Sequence, residues 1–328
     1  IRDLVLSLVG SEMCIRDSDW GAAARSLADD GAVLLPAALN ETEMSLVEDA
    51  FTWMIAHPGP GAEYRYTHEP ATFYESTGYA PQEPVMRNIF EHTAILDVVR
   101  ALYGSERIWY LGEQLFWKHG GHARRTPWHQ DLSYLPFAGD SLIGLWISLD
   151  DLPQEACLEF VRGSHRGVLY NGASYLDLDD DTHPLYPDCD MPRLPDIEAN
   201  RSAWDILSWP LKRGDLIAFH IGALHGGGGT TPGVERRTLT LRFFGEDAVW
   251  TKPLPPANPE AFAARRSKAV RESGTRPAPT TPPRPGRARA ARGQGGQLSC
   301  GLQPCHPMSY KMPNLSSPRA RHPTGHKT

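Results

Sequence analysis

Three residues of types that commonly bind metal ions are spaced so that few folds could bring them together. His129 and Asp131 are separated by one residue, and His225 follows far downstream. On an extended strand, side chains two residues apart point to the same side, so His129 and Asp131 can reach one ion. His225 can join them only if the chain returns beside its earlier strand. The spacing therefore favours a sheet-rich fold that pairs strands distant in sequence.

Two imidazoles and one carboxylate on one face of an Fe(II) ion leave three coordination positions open, as in non-haem iron oxygenases. The pattern alone has low specificity in a chain with 13 histidines. His129 and Asp131 could instead form a buried hydrogen-bonded pair without metal. His220 competes with His225 as the distal ligand because both precede the glycine run that begins at Gly226. The interval of eleven residues from His225 to Arg236, and the glycine directly after His225, favour His225 as the ligand. His220 is then expected to be an inner-wall or supporting residue.

An alternating stretch begins eleven residues after His225. Arg236, Thr238, Thr240 and Arg242 alternate with Arg237, Leu239, Leu241 and Phe243, which predicts a strand with two unlike faces. A guanidinium beside a hydroxyl suits a bidentate grip on a carboxylate, so Arg236 with Thr238 is a candidate anchor. Arg237, on the opposite face, is expected to be a surface or ion-paired residue. A metal triad with a carboxylate anchor is the arrangement of an enzyme that binds a keto acid to its metal.

Four segments in order resemble the phytanoyl-CoA dioxygenase family of Fe(II)/2-oxoglutarate oxygenases. The resemblance covers roughly residues 19–250. The segments are residues 128–137 (WHQDLSYLPF), 157–165 (CLEFVRGSH), 214–220 (GDLIAFH) continuing to the His-Gly pair at 225–226, and finally Arg236.

The resemblance implies a mainly β fold with flanking helices around a double-stranded β-helix, the cupin-like jelly roll. It implies that His129, Asp131 and His225 bind Fe(II), with 2-oxoglutarate and O2 as cosubstrates. Arg236 matches the arginine that holds the distal carboxylate of 2-oxoglutarate, and Trp146 falls where relatives place a tryptophan against it. One departure is Gly227, where some relatives carry serine, so a hydroxyl contact to 2-oxoglutarate is missing.

Five further residues are candidates for substrate binding or for supporting the site. They are Lys118, Arg124, Gln130, Tyr134 and His220. Arg124, which with Arg125 precedes the metal strand, fits an anion site for substrate or a solvated corner equally well. His165, in a Gly-Ser-His turn, is expected to be a hydrogen-bonded loop residue.

The coarse element pattern places helices before a strand-rich remainder. Residues 29–35 predict a strand entry, and residues 40–42 offer N-caps for a helix through about Ala56. A second helix is expected from Pro84 to Tyr103. Strands are expected over residues 141–149, 157–161, 215–220 and 236–244, which suits a closed antiparallel double sheet.

The ends of the chain differ in character from the middle. Residues 1–18 resemble translated adaptor sequence, and residues 19–255 are expected to form the oxygenase domain, with a lid insertion at about 166–211. The acidic run at 177–181 lacks EF-hand spacing and is expected to be a solvated loop. Residues 256–328 predict a disordered basic tail, consistent with a frameshifted 3′ end. From position 266 the chain holds twelve Lys or Arg and a single acid, yet no aromatic interleaving supports nucleic-acid binding.

Length and composition agree with one soluble enzyme domain, which is expected to be cytoplasmic and bacterial and, from the resemblance, to act on a small molecule. No apolar run approaches the ~20 residues of a membrane helix, and five cysteines show neither a paired framework nor zinc spacing. The resemblance implies hydroxylation of an unidentified organic substrate, with succinate and CO2 as coproducts. The alternatives are a non-catalytic jelly roll that binds a metal or ligand, and a metal-dependent hydrolase using the same triad. The sequence gives no indication of substrate identity, use of a CoA ester or oligomeric state.

Overall fold

A computed structural model describes residues 17–66, 69–78, 82–105, 107–173 and 180–251. The adaptor-like segment, apart from its last two residues, lies outside these ranges. The whole basic tail from residue 256 also lies outside them, as do residues 177–179 of the acidic run. The expectations for those segments therefore stay predictions.

Four helices come early in the chain. They are α1 (Asp17–Asp30), α2 (Glu41–Ala56), α3 (Glu83–His92) and α4 (Ile95–Tyr103). Helix α2 begins where its sequence signal lies, because Asn40 and Glu43 form a reciprocal capping box. The strand entry expected at residue 29 is instead the end of α1.

The single helix expected from Pro84 to Tyr103 is wrong, because the chain leaves the helical conformation between α3 and α4. Thr93 is extended, and its hydroxyl donates to the carbonyl of Ile89. The free amide of Ala94 donates to the Glu43 carboxylate of α2 at 2.7 Å. A side chain from another helix thus satisfies the start of α4 and stabilises the break.

Seven strands form a large antiparallel sheet in the order β1-β10-β7-β12-β4-β3-β2. Their bounds are β1 (Ala32–Leu35), β2 (Glu63–Arg65), β3 (Thr72–Thr77), β4 (Trp109–His119), β7 (Leu142–Ser148), β10 (Leu216–His220) and β12 (Arg236–Phe244). The sequence prediction for β12 has the same bounds as the strand, and β7 and β10 are shorter than predicted by one residue at one or both ends.

A smaller antiparallel sheet faces it, in the order β5-β11-β8-β9. It comprises β5 (Thr126–His129), β8 (Leu158–Val161), β9 (Ile206–Ser208) and β11 (His225–Gly227), while β6 (Phe137–Ala138) pairs separately with β13 (Val249–Trp250). From β4 to β12 the chain passes repeatedly between the large sheet and the smaller sheet. This winding makes a double-stranded β-helix, and the predicted fold class is confirmed.

Strands β7 and β10 of the large sheet are buried on both faces, and the two faces of the sheet differ in composition. Its outer face packs against the helices through residues such as Leu145, Leu241 and Phe243. Its inner face turns toward the smaller sheet and combines Trp146 and Phe219 with the polar side chains of β12. The period-two alternation of these strands therefore separates a helix-packed core from an inner face that turns toward the smaller sheet.

Residues 166–173 and 180–205, the described residues of the expected lid insertion that precede β9, are mostly irregular chain. Strand β9 lies within the stretch predicted as lid, and its pairing with β8 makes residues 206–208 part of the smaller sheet. The irregular part therefore ends before β9. None of the described helices combines the length and the apolar character needed to cross a membrane.

Candidate metal centre and carboxylate pocket

The three predicted metal-binding residues meet between neighbouring strands of the smaller sheet. His129 ends β5 and His225 begins β11, and the two are direct partners across the antiparallel pair. Their ring centroids lie 4.2 Å apart. One potential ligand atom from each of His129, Asp131 and His225 lies within 4.8 Å of the others. The pairing of β11 with β5 therefore brings His225 back beside His129, as the sequence spacing requires.

The expectation that Asp131 continues an extended strand is wrong. Strand β5 ends at His129, and Asp131 is the first residue of a short 3-10 turn. Gln130 between them keeps extended dihedral angles, so the side chains on either side of it still approach one another. The Asp131 Oδ1 lies 3.7 Å from the His129 Nε2.

Both histidines have the tautomer that a metal ligand needs. The Nδ1 of His129 donates to the carbonyl of Pro127 at 2.8 Å, and that of His225 donates to the carbonyl of Ala223 at 3.0 Å. Each Nε2 therefore carries a lone pair. Burial lowers the pKa of His129, and burial with the neighbouring His129 lowers the pKa of His225 to about 3. At neutral pH both rings are uncharged, as metal binding requires.

A charged residue outside the triad, Arg242, holds Asp131. Its Nε donates to the Asp131 Oδ2 at 2.8 Å, and its Nη2 donates to the Gln114 Oε1 at 3.0 Å. Burial alone would raise the pKa of Asp131, but Arg242 and the two histidines lower it well below the usual range. The carboxylate is therefore ionised. The sequence analysis placed Arg242 on the same strand face as Arg236 without assigning it a role.

Arg236 and Thr238 lie on the inner face of β12, where the sequence placed them. The Arg236 side chain is 1% exposed, and its Nη1 donates to the carbonyls of Ala156 and Gly228, each at 2.9 Å. Neither the Arg236 Nε nor the Thr238 hydroxyl has a hydrogen-bond partner among the described residues. Trp146 lies beside them, with its ring 5.7 Å from the guanidinium carbon. Burial lowers the pKa of Arg236 to about 10.

Lys118 adds a second buried basic side chain beside Arg236. The two residues are direct partners across β4 and β12, and Lys118 is fully buried. Its amine donates to the carbonyl of Arg124 at 2.7 Å and lies 4.1 Å from the centroid of the Phe73 ring. Burial and the neighbouring Arg236 lower the pKa of Lys118 well below its usual range, which favours the neutral amine. The buried charge in this region is therefore that of Arg236, which suits an anion.

Gln130 and Tyr134 connect the turn after His129 to the irregular segment of residues 168–173. The Gln130 amide donates to the carbonyls of Val168 and Gly222 and accepts a hydrogen bond from the amide of Tyr170. The Tyr134 hydroxyl accepts from the amide of Ala173, and its ring packs edge-on against His129. Both residues therefore support the site.

Arg124 and His220 lie away from the triad. Arg124 pairs with Asp181 at 2.9 Å and lies over the Tyr66 ring. His220 accepts from the amide of Gly222 and packs against His165, whose Nε2 lies 3.1 Å from the carbonyl oxygen of Ala28. His220 is therefore not brought into the metal triad, whereas His225 is.

Comparison with known families identifies the class of protein that this fold and site define. The model of the phytanoyl-CoA dioxygenase family matches residues 27–238, well over half of the chain. The chain belongs to the phytanoyl-CoA dioxygenase family, and the predicted resemblance is confirmed. A probable phytanoyl-CoA dioxygenase of Caenorhabditis elegans is 25% identical over 172 residues, covering 50% of this chain and 52% of that protein. The chain thus spans about half the length of this relative.

Solved structures share the fold at lower sequence identity. The epimerase SnoN from nogalamycin biosynthesis, solved in complex with Fe3+, alpha ketoglutarate and nogalamycin RO, is 19% identical with a TM-score of 0.55 over 72% of this chain and 88% of its own. The carbocyclase SnoK from the same biosynthesis is 20% identical with a TM-score of 0.55 over 73% and 94%. EctD from S. alaskensis is 20% identical with a TM-score of 0.52 over 72% and 80%.

Proposed function

We propose that the protein is an Fe(II)- and 2-oxoglutarate-dependent dioxygenase that hydroxylates a small organic substrate, with succinate and CO2 as coproducts. The observation that carries the proposal is the juxtaposition of two kinds of site between the facing sheets. An ionised Asp131 and two neutral histidines lie at the smaller sheet, and Gly227, two residues after His225, approaches Arg236. Arg236 is a fully buried guanidinium that has no carboxylate partner among the described residues.

The donor set fits Fe(II). Two imidazole nitrogens and one carboxylate on one side of an ion leave the opposite side open for other ligands. The carbonyls of Pro127 and Ala223 hold the Nδ1–H groups, which orients both rings and increases their basicity as ligands. When bound, Fe(II) with 2-oxoglutarate would supply the oxidising chemistry that uses O2.

The pocket around Arg236 fits 2-oxoglutarate. A carboxylate there would accept from the guanidinium Nε and the Thr238 hydroxyl, the two buried groups that lack partners. Lys118, the cross-strand partner of Arg236, would add a hydrogen-bond donor, and Trp146 would form an apolar wall. A buried charge without a counterion lowers the stability of the folded protein. Binding of 2-oxoglutarate in this pocket would therefore also stabilise the fold.

The rest of the cavity would position the substrate and exclude water. Asp131 and His225 are 7% and 4% exposed. Gln130 and Tyr134 hold residues 168–173 against the turn that carries Asp131, so the irregular segment covers the metal side of the cavity. A covered cavity limits side reactions with water. The assignment of residues 166–205 as a substrate lid is part of the proposal.

An anaerobic titration tests the metal and the cosubstrate together. Fe(II) followed by 2-oxoglutarate should give a visible charge-transfer band in the wild type. The band should be absent from His129→Ala and His225→Ala and retained by His220→Ala. A band lost in His220→Ala and kept in His225→Ala would transfer the ligand role to His220. Absence of any band in the folded wild type would favour the non-catalytic alternative.

A product measurement tests the reaction class. With 18O2 and a panel of small substrates, hydroxylation should release one succinate per product and add one labelled oxygen atom to the product. Succinate formation with a product that gains no oxygen would instead indicate epimerisation or ring closure. Those are the activities that the names of SnoN and SnoK give to those proteins.

A further inference from the structure

We infer that Arg242 is a positioning residue that holds Asp131 so that only one of its two carboxylate oxygens can bind the metal. The inference rests on the proposed function and assigns a role to a residue that contacts a metal ligand without facing the metal position itself. It concerns the number of coordination positions that remain open at the site.

The two oxygens of Asp131 have different surroundings. Oδ1 lies 3.7 Å from the Nε2 of His129, the nitrogen that carries the free lone pair. Oδ2 accepts a hydrogen bond from the Nε of Arg242 at 2.8 Å. One oxygen is thus directed to the metal position and the other is occupied by a charged donor. Charge-assisted hydrogen bonds of this kind are among the stronger ones in proteins.

Arg242 is itself held in place. Its Nη2 donates to the Gln114 Oε1 at 3.0 Å, and only 14% of its side chain is exposed. Its direct partners on the two neighbouring strands are Gly112 and Gly144. Neither neighbour has a side chain that could displace the guanidinium. Asp131 is the carboxylate with which Arg242 pairs among the described residues.

The arrangement matters because of the number of ligands the metal must accept. Two histidines and one carboxylate oxygen leave three of six positions, which is the number needed for a bidentate keto acid and O2. If Asp131 bound through both oxygens, one of these positions would be lost. To bind that way, Oδ2 would have to give up its hydrogen bond to Arg242. Arg242 therefore favours the open arrangement.

Co(II) is a suitable probe because its visible bands respond to the identity and geometry of its ligands. In the full-length protein, Arg242→Met should bind Co(II) at least as tightly as the wild type, because a nearby positive charge is removed. Its Co(II) bands should differ from those of the wild type, because the second Asp131 oxygen takes the place of another ligand. Its affinity for 2-oxoglutarate should fall about tenfold, equivalent to 1.4 kcal/mol. Arg242→Lys, which keeps a donor for Oδ2, should recover most of that loss.

Two further variants complete the test. Gln114→Leu removes the second anchor of Arg242 and should shift the same quantities in the same direction by less, which covers the case in which Arg242→Met does not fold. Arg107→Met, at an exposed arginine paired with Glu246, should leave both affinities and the spectrum unchanged.

The outcomes separate this inference from the proposed function. A wild type that binds neither Co(II) nor 2-oxoglutarate would overturn the proposed function. A wild type that binds both, with an unchanged spectrum and 2-oxoglutarate affinity in Arg242→Met, would overturn the role of Arg242 alone. Parallel loss of Co(II) and 2-oxoglutarate binding in Arg242→Met would also overturn it, since Arg242 would then hold Asp131 in place without limiting how it binds.

Discussion

Arg236 and Arg237 are neighbours in the chain but lie on opposite faces of β12. On the outer face, Arg237 pairs with Asp150 and with Glu48 of α2, each at 2.6 Å, and hydrogen bonding to Asp150 raises its pKa. On the inner face, Arg236 is more deeply buried, donates only to backbone carbonyls and has a lowered pKa. The same residue type has carboxylate partners on one face and, within the part of the chain that the structure describes, no counterion on the other.

The difference shows how this sheet divides its tasks. The outer face joins the sheet to the helices, and its one charged residue on β12 is neutralised by side chains of the fold itself. The inner face keeps polar groups that the fold does not satisfy, which has a cost in stability unless a ligand supplies the missing partner. Substitutions on the outer face should therefore change stability, and substitutions on the inner face should change ligand binding.

The largest expected effect is on stability at the outer face. Phe243→Ala removes a ring that packs against Phe90 and Tyr110 in the helix-side core. The free energy of unfolding should fall by about 3–5 kcal/mol in urea denaturation. Val249→Ala, at a position 57% exposed, is the control and should change it by less than about 0.5 kcal/mol. An altered 2-oxoglutarate affinity in the folded Phe243→Ala protein would argue against the division of tasks between the faces.

The inner-face counterpart is Arg236→Met. Loss of the charge-assisted contact should weaken 2-oxoglutarate binding by about 1.5–3 kcal/mol, measured by calorimetry with a redox-inactive metal. Thermal stability without ligand should be unchanged or higher, because a buried charge without a counterion has been removed. If Arg236→Met lowered the melting temperature and left 2-oxoglutarate affinity unchanged, the residue would be structural.

Arg237→Met should give the reverse result. It leaves the partly buried carboxylate of Asp150 without its main partner, and we expect a loss of about 1–3 kcal/mol in unfolding free energy. The 2-oxoglutarate affinity should equal that of the wild type. Equal effects of the two arginine variants on ligand binding would mean that the two faces are not separated as described.

Much of this arrangement follows from local sequence. Alternation over residues 236–244 predicts β12 and the faces of both arginines, because period-two geometry is determined by a short stretch of chain. The His-x-Asp spacing predicts that His129 and Asp131 approach one another, although a 3-10 turn and not a continuing strand carries Asp131. The fold class was predicted from the four segments that resemble the phytanoyl-CoA dioxygenase family.

Other features depend on contacts between distant segments, so local patterns did not reveal them. The helix break at Thr93 is stabilised by Glu43 of another helix. The role of Arg242 depends on a hydrogen bond to Asp131 from a strand far away in sequence. Strand β9 was missed because it is three residues long, and its assignment rests on pairing with β8. In each case a polar residue or a short strand has a partner far away in the sequence. Only the tertiary fold brings the two together.

The smallest expected effect concerns His220, a buried imidazole near the inner cavity. Burial, with a smaller contribution from His165, lowers its pKa to about 4. The folded state therefore binds fewer protons than the unfolded state between about pH 6.5 and 4, and stability falls as the pH is lowered through that window. Between pH 6 and 5 the loss due to this residue should be about 1 kcal/mol. Urea denaturation of the metal-free protein measures it by comparison with His220→Gln, which can keep hydrogen bonds to Gly222 and Gly139 without titrating. Identical slopes for the two proteins would show that His220 is protonated as readily in the fold as in the unfolded chain.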